Sequence, residues 1–476
     1  MDRMTSYPAR HILILGGGAS GTLLAIQILR TRSSARVTLI EKGDELGKGF
    51  AYGAAHPMHL LNVRAENMSA YPDEPDHFLQ WLDRNGGLAG NPAGNRFRFV
   101  PRLTFGKYLE SELIALAGRS DNHDRFASVR GEAVGILRTA AGVTVSLDNH
   151  RRITGDAAVV ATGYAAPALS DLPHSHVPWA RIDKGTVNDL SSVLLLGSGL
   201  SMIDHVQALV AAGYRGSIVS ISRRGLIPHV HRPVEAEEIN ADEVPFGCSL
   251  TELWRWFRAR AEAAERSGSD WRAVLDGLRP HAQALWSSLS PETQRRFVRH
   301  GRAWWDVRRH RMAPEVAATI KTLFDRRRLV IIAGKIVSVT RLQDPSAGVE
   351  VRYRRRGQNS LETLRTQAIY DCTGFNLDVG QSDNAVIRSL LGQGLARPDR
   401  LALGFDVDPS CALIDRDGVP ADDLFAVGPL TRGTFWETTG IPDIRTQCAS
   451  LAHRLLHTHV DPAVRVTADE QRRSAF

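Results

Sequence analysis

The sequence predicts an α/β fold of two doubly wound parallel-sheet units, the second inserted into the first and carrying a mostly helical insertion. Three observations point to it. The chain opens on an apolar run, Arg10 to Leu15, that leads through a glycine-rich turn into an apolar helix ending near Leu29. The same order returns from Val193 to about Ala212. Further short apolar runs follow each start, of the kind buried on both faces of a parallel sheet.

Taken in order, Val37–Ile40 is a strand that closes the first β-α-β start. The stretch from Phe50 to Asp76 holds Gly53, Pro57, Pro72 and Pro75 and reads as loop. Helices follow at His77–Asp83 and Thr104–Ala117, then a hairpin strand at Val143–Leu147 and a buried strand at Ala157–Ala161. The second unit begins with strand Val193–Leu196 and continues through its helix to strand Ser217–Ile221. From Thr251 to about Val307 the chain is mostly helical. Leu253, Trp256 and Phe257, then Val274, Leu275 and Leu278, are spaced for one face, and Ser290-Pro291-Glu292 is an N-cap with proline at the first helical position. Strands resume at Leu329–Ile332, Ile336–Val339, Val349–Tyr353 and Ala368–Tyr370; Leu424–Val427 is the last, and Asp443–Leu456 a closing helix. The implied boundaries are 1–185 for the first unit, 186–366 for the inserted one with its helical part at 246–310, and 367–476 for the return to the first.

At 476 residues the chain has room for two or three domains of roughly 150 residues each. Its 43% hydrophobic and 23% charged residues are ordinary for a globular protein. The net charge of +7, carried mainly by arginine, suits anionic ligands. Basic and aromatic residues do not alternate along a face, which argues against nucleic acid. Cys248, Cys372, Cys411 and Cys448 lack metal or redox spacing and fit a reducing cytoplasm. His229 and His231 have metal-like spacing without a nearby third ligand, so no metal is expected. The N-terminal residues lack a secretory pattern, and no apolar run is long enough to span a membrane.

The chemistry lies in the turns. Gly16, Gly18 and Gly21 form G-x-G-x-x-G between a strand and a helix, with Ser20 inside the pattern. The first glycine makes the turn, the second lets the backbone approach a pyrophosphate, and the third lets helix and strand pack, so both units read as Rossmann-like dinucleotide-binding domains. Glu41, followed by Lys42, ends the next strand. A carboxylate there accepts ribose hydroxyls and repels a 2′-phosphate, favouring FAD or NAD at this site. In the second turn, Gly197, Ser198, Gly199, Leu200 and Ser201 lead to Met202 in place of the third glycine. The strand after it ends in Ser222-Arg223-Arg224, with no acid for a ribose but two guanidiniums for a 2′-phosphate, which favours NADPH. Thr162-Gly163 and Thr373-Gly374 each follow a strand, as at the crossings between two dinucleotide domains; both pairs are expected to complete the first, FAD, site, and Gly428-Pro429 to offer backbone to the ribityl chain and flavin ring.

With these motifs the chain resembles bacterial FAD/NAD(P)-binding proteins whose relatives include flavin N-hydroxylases, some of which oxidise the amine of aspartate to nitrosuccinate. The resemblance is carried by Ile14–Gly21, Gly47–Gly53, His59–Val63, Val100–Arg102 with Gly106–Leu109, Ser222–Leu226, Trp305–Met312, Val427–Pro429, Trp436–Thr439 and Ile441–Arg445. It implies FAD contacts at Asn62, Val63 and Thr438 besides the first turn, flavin shaping by Asn62 and Lys48, and no obligatory catalytic acid or base. Arg64, Asn67, Arg102, Arg308 and Arg311 are candidate substrate contacts. The arginines between Arg295 and Arg311 read either as a solvated, salt-bridged face or as a cationic wall, and the tryptophans as core. An N-hydroxylating monooxygenase using molecular oxygen and a small anionic amine leads. The alternatives are a reductase serving a quinone or protein partner and a non-catalytic NADPH-sensing protein. No cysteine pair marks a disulfide reductase, and the Baeyer–Villiger linker F-x-G-x-x-x-H-x-x-x-W is absent between Gly163 and Asp189.

Overall fold

The computed structural model describes residues 9–457 except 54–55, 87–95, 140–141, 345–346 and, between 165 and 189, all but 172, 173, 175, 176, 182 and 187. Strand β1 (His11–Leu15) leads through α1 (Ala19–Leu29) to β2 (Arg36–Glu41). Helices α2 (His77–Arg84) and α3 (Arg102–Ala117) precede β3 (Phe126–Arg130). An antiparallel meander of β4 (Ala133–Thr139), β5 (Gly142–Leu147) and β6 (Arg152–Gly155) then gives way to β7 (Ala157–Val160). The second unit holds β8 (Ser175–His176), β9 (Ser192–Leu196), α4 (Leu200–Ala211) and β10 (Ser217–Ser222). Helices α5 (Leu250–Arg266), α6 (Trp271–Leu278), α7 (Ala282–Ser288), α8 (Pro291–Arg296), α9 (Arg302–Arg309) and α10 (Pro314–Asp325) follow. Next come β11 (Leu329–Arg341), β12 (Val349–Arg355), β13 (Leu361–Thr366) and β14 (Ala368–Asp371), and the chain closes with α11 (Ala385–Gly392), β15 (Ala412–Ile414), β16 (Pro420–Ala426) and α12 (Ile441–His457).

The strands form two main sheets, ordered β15-β16-β7-β1-β2-β3 and β13-β12-β11-β10-β9-β14-β8. Both are parallel at their centres, with β1 between β2 and β7, and β9 between β10 and β14. The first sheet takes β16 from the far end of the chain, beside β7, so the second unit is inserted into the first. The apolar β1 has a simple cause: both its faces are covered. Ile12 and Ile14 pack with α1, α3 and α12, while Leu13 and Leu15 pack with the meander and α11. Burying each such side chain contributes about 1.5–3 kcal/mol.

Two expectations about elements change. Leu329–Ile332 and Ile336–Val339 are one long strand, β11, bulged between Ile336 and Ser338. Gly334 lies between the two expected segments, and a Cβ there would stand 2.7 Å from the Arg354 carbonyl oxygen, so the glycine permits close pairing. Ala368–Asp371 pairs with β9 in the second sheet, so the return to the first sheet comes after this strand rather than at residue 367.

Candidate functional site

The two glycine turns are built alike. Gly16 has φ +108°, and a Cβ on it would lie 2.7 Å from the Ala161 carbonyl oxygen; Gly197 has φ +93° and stands in the same relation to the Cys372 carbonyl at 2.6 Å. Each turn therefore leans on the strand-T-G crossing beside it. This sorts the two crossings: Thr162-Gly163 belongs to the first turn, whereas Thr373-Gly374 lies against the second, with the Thr373 N–H and hydroxyl both donating to Asp371. Gly18 and Gly199 are the N-caps of α1 and α4, and neither helix start has a side-chain cap. Free first-turn N–H groups and the positive end of the helix dipole then face the ligand space. A side chain at Gly21 would collide with the Gly16 carbonyl, whereas Met202 holds the corresponding place in the second unit, fully buried in that unit's core.

A cleft of ≈ 1100 Å³ starts at the first turn. Of the residues expected to hold the first cofactor, Gly16, Gly18, Ser20, Glu41, Lys42, Thr162, Gly163 and Pro429 line it. Glu41 accepts the Gly17 N–H at 2.7 Å and the Gly43 N–H at 2.9 Å, which fixes the carboxylate and leaves lone pairs for ribose hydroxyls. Gly428, at φ +74°, packs on Ser20 and donates its N–H to Gln447 at 2.8 Å, and Thr438 is buried beside Thr439, which lines the cleft in its place. Ser201, expected in the second cofactor's site, lines this same cleft. The two turns therefore open toward one space. Ser198 donates to Ser222 at 2.7 Å, bracing the second turn against the end of β10. Arg223 is exposed and Arg224 half-buried, and neither guanidinium has an ion-pair or hydrogen-bond partner among the described residues.

Residues 13–165 match the FAD-NAD(P)-binding family model. No curated protein matches the sequence. Among solved structures, the FAD-bound cadaverine monooxygenase of the Erwinia amylovora desferrioxamine pathway superposes with a TM-score of 0.67 at 13% identity, over 95% of both chains. The ornithine N-hydroxylase of Kutzneria sp. 744, in complex with reduced FAD, NADP+ and L-ornithine, gives 0.64 at 15% identity, over 94% of this chain and 99% of that one. Thioredoxin reductase of Lactococcus lactis gives 0.51 at 11% identity, over 94% and 99%. The chain has the fold of the two-dinucleotide-domain flavoproteins.

In this flavoprotein fold another part of the cleft wall is made by residues that the sequence reading named only within the arginine-rich stretch or not at all. The helical insertion docks on the loop after β16: Trp286 donates to the Gly433 carbonyl at 2.8 Å, Trp305 to Glu437 at 3.1 Å, and the Trp286 and Trp436 rings lie 4.7 Å apart. That docking carries Arg302, at the start of α9, and His310, just past its end, into the cleft wall, beside Arg432 from the loop and Tyr164 from the first crossing. Asp306 is the shared anion, 3.3 Å from Arg302, 3.8 Å from Arg432 and 4.0 Å from His310. Burial holds His310 below the usual imidazole range despite Asp306, so it is neutral at pH 7. Burial and the neighbouring Arg432 lower Arg302, and burial raises the Tyr164 hydroxyl. The Tyr164 hydroxyl, Thr162 Oγ1 and Arg432 Nε are buried without a hydrogen-bond partner among the described residues. Orphaned polar groups on separate segments around one cleft mark a site built for a polar ligand.

The residues first considered for substrate do not line the cleft. Arg311, 2% exposed, holds Asp276 through two 2.9 Å hydrogen bonds. Arg308 lies over Trp271 and Trp304 at the rim of an apolar cavity inside the helical insertion. Arg102 pairs with Asp204 at 2.7 Å, tying α3 to α4. Arg64 donates to the Arg232 carbonyl at 2.7 Å, and the Asn62 carbonyl accepts from His231 at 3.0 Å, so this loop clasps the second unit. Val63 packs on the first core, and the Asn67 carbonyl faces Arg445. Lys48 does line the cleft, locked between Glu45 at 2.6 Å and Glu110 at 3.1 Å. Burial alone would lower it, but those two carboxylates hold it above the usual lysine value. The signal for Arg302 and His310 was present in the arginine-rich stretch; which of its residues face inward depends on docking that the sequence does not reveal.

Proposed function

We propose that the protein is an FAD- and NADPH-dependent monooxygenase that N-hydroxylates a small amine bearing a carboxylate, with an acidic amino acid such as L-aspartate as the leading case. One observation carries this reading: a single cleft runs from Gly16 and Glu41 to Ser201 of the second turn, ends on Arg302, His310 and Arg432, and contains none of the four cysteines in its lining. Likeness of fold to the cadaverine and ornithine enzymes supports it.

FAD would accept a hydride from NADPH and activate oxygen. The N-terminus of α1 would hold its pyrophosphate, and Glu41 its adenosine ribose. Arg302 and Arg432 share one carboxylate, Asp306, so one positive charge is left to grip a substrate carboxylate. Neutral His310 is placed to take a proton from the substrate ammonium, since N-oxygenation requires the free lone pair. Tyr164 and Phe375, stacked at 5.9 Å, would give that part of the cleft an apolar wall.

The test is a panel of acidic, basic and neutral amines, with NADPH oxidation and hydroxylamine or nitroso product measured together. Acidic amines should give coupled product. Coupling with basic amines alone would overturn the substrate class; rapid reduction of a quinone or protein with no oxygenated product would overturn the monooxygenase.

A further inference from the structure

Beside the second turn lies a groove of ≈ 480 Å³ lined by Arg223, Gly334, Lys335, Arg354, Arg355 and Arg356, among other residues. Its walls are the turn after β10 and the β11–β12 hairpin, which meet where Gly225, at φ +63°, comes against Ala333; within the hairpin the Arg356 N–H donates to the Ala333 carbonyl at 2.8 Å. Arg355 pairs with Glu362 at 2.7 Å. Among the described residues, Arg223, Lys335, Arg354 and Arg356 have no acidic partner, and no acid lines the groove. Lys335 stands directly opposite Arg354 in the antiparallel ladder, and like charges so placed destabilise a hairpin. An anion seated between the turn and the hairpin would relieve that repulsion.

Topology says which anion. In the sheet order, β11 lies beside β10 on the side away from β9, whose turn would hold the pyrophosphate. An adenosine ribose held at the end of β10 would then have its 2′ position beside Ala333 of β11, the strand partner of Ser222. We infer that Lys335 and Arg356, from the β11–β12 hairpin, set the preference for NADPH together with Arg223, by closing on the 2′-phosphate from the side opposite the β10 turn. The inference rests on the NADPH reading above and adds residues far from the dinucleotide motif. Arg224 lies outside the groove lining and contributes less.

The holoenzyme tests it, with NADPH and NADH dissociation constants taken from the rate of flavin bleaching, and with adenosine 2′-monophosphate and adenosine 5′-monophosphate as competitors. The wild type should prefer NADPH and be inhibited by the 2′-phosphate far more than by the 5′-phosphate. Lys335→Ala/Arg356→Ala should weaken NADPH and adenosine 2′-monophosphate by roughly tenfold or more, the order of one lost charge-assisted hydrogen bond, and leave NADH unchanged. Arg223→Ala should do the same and Arg224→Ala less. These side chains are exposed or half-buried, and unchanged melting of the variants would confirm that folding is not the cause. A wild type that prefers NADPH while the hairpin variant keeps its affinity would overturn the hairpin's role alone. A wild type indifferent between NADPH and NADH would overturn the NADPH reading and this inference with it.

Discussion

A Cβ at Gly21 would run into the Gly16 carbonyl oxygen, whereas a Cβ at Gly18 would meet only the Gly49 backbone, no nearer than 3.5 Å. The two glycines therefore serve different ends, and alanine separates them. Gly21→Ala should destabilise the first unit by about 2 kcal/mol or more, read as a lower melting midpoint, because helix and turn must part. Gly18→Ala should fold normally and purify with little flavin, because its methyl group stands where the pyrophosphate backbone contact belongs. Equal flavin content in Gly18→Ala and wild type would remove the first turn from the cofactor site. At this scale the sequence was legible: spacing alone distinguished the glycines by role, and Glu41 was located by its place at a strand end. In the loop after Gly428, Thr439 rather than Thr438 lines the cleft, and that loop has no periodicity to count along. Arg432, in the same loop, gave no signal of its own.

Helix α9 divides the arginine-rich stretch. Arg302, at its start, faces the cleft, while Trp304, Trp305 and Arg308 line the apolar cavity of the helical insertion. Arg302→Ala and Arg432→Ala should each raise the substrate KM by roughly tenfold or more while FAD is retained, the order of one carboxylate contact; unchanged KM in both would dissociate these arginines from substrate. Arg311 acts otherwise. Asp276→Ala strands its buried guanidinium and should cost roughly 2–3 kcal/mol, less than for a fully buried pair because the Asp276 side chain is 35% exposed, with KM unaltered. Urea unfolding and steady-state kinetics on the same variant check both halves. Helical periodicity revealed that this region is helical and which residues form its core. It did not reveal which arginines turn inward, because that follows from Trp286 and Trp305 docking on a loop some 130 residues later or more.

Across the whole molecule, both sheets and their nesting could be read from two strand–turn–helix starts, since parallel strands covered on both faces leave apolar runs. The extent of β11 and the sheet membership of β14 could not, because both depend on pairing between distant segments. Two histidines, His59 and His231, help pin the two units together. His59 bonds to the Asp204 carbonyl at 2.9 Å and His231 to the Asn62 carbonyl at 3.0 Å. Burial lowers both below the ordinary imidazole value of 6.5, His231 to about 4. The unfolded chain therefore takes up protons before the folded one, so stability is whole above pH 6.5 and falls as pH drops from 6.5 toward 4. The melting midpoint should decline over that window, and His231→Gln should flatten the decline; a level profile would contradict the buried, neutral histidines. The most direct test of the central claim, one cleft shared by two dinucleotides, is to denature the purified protein, identify the released flavin, and follow its absorbance in the intact enzyme when NADPH is added without oxygen. The expected result is FAD, bleached by NADPH; FMN, no flavin after reconstitution, or FAD that NADPH leaves oxidised would contradict it.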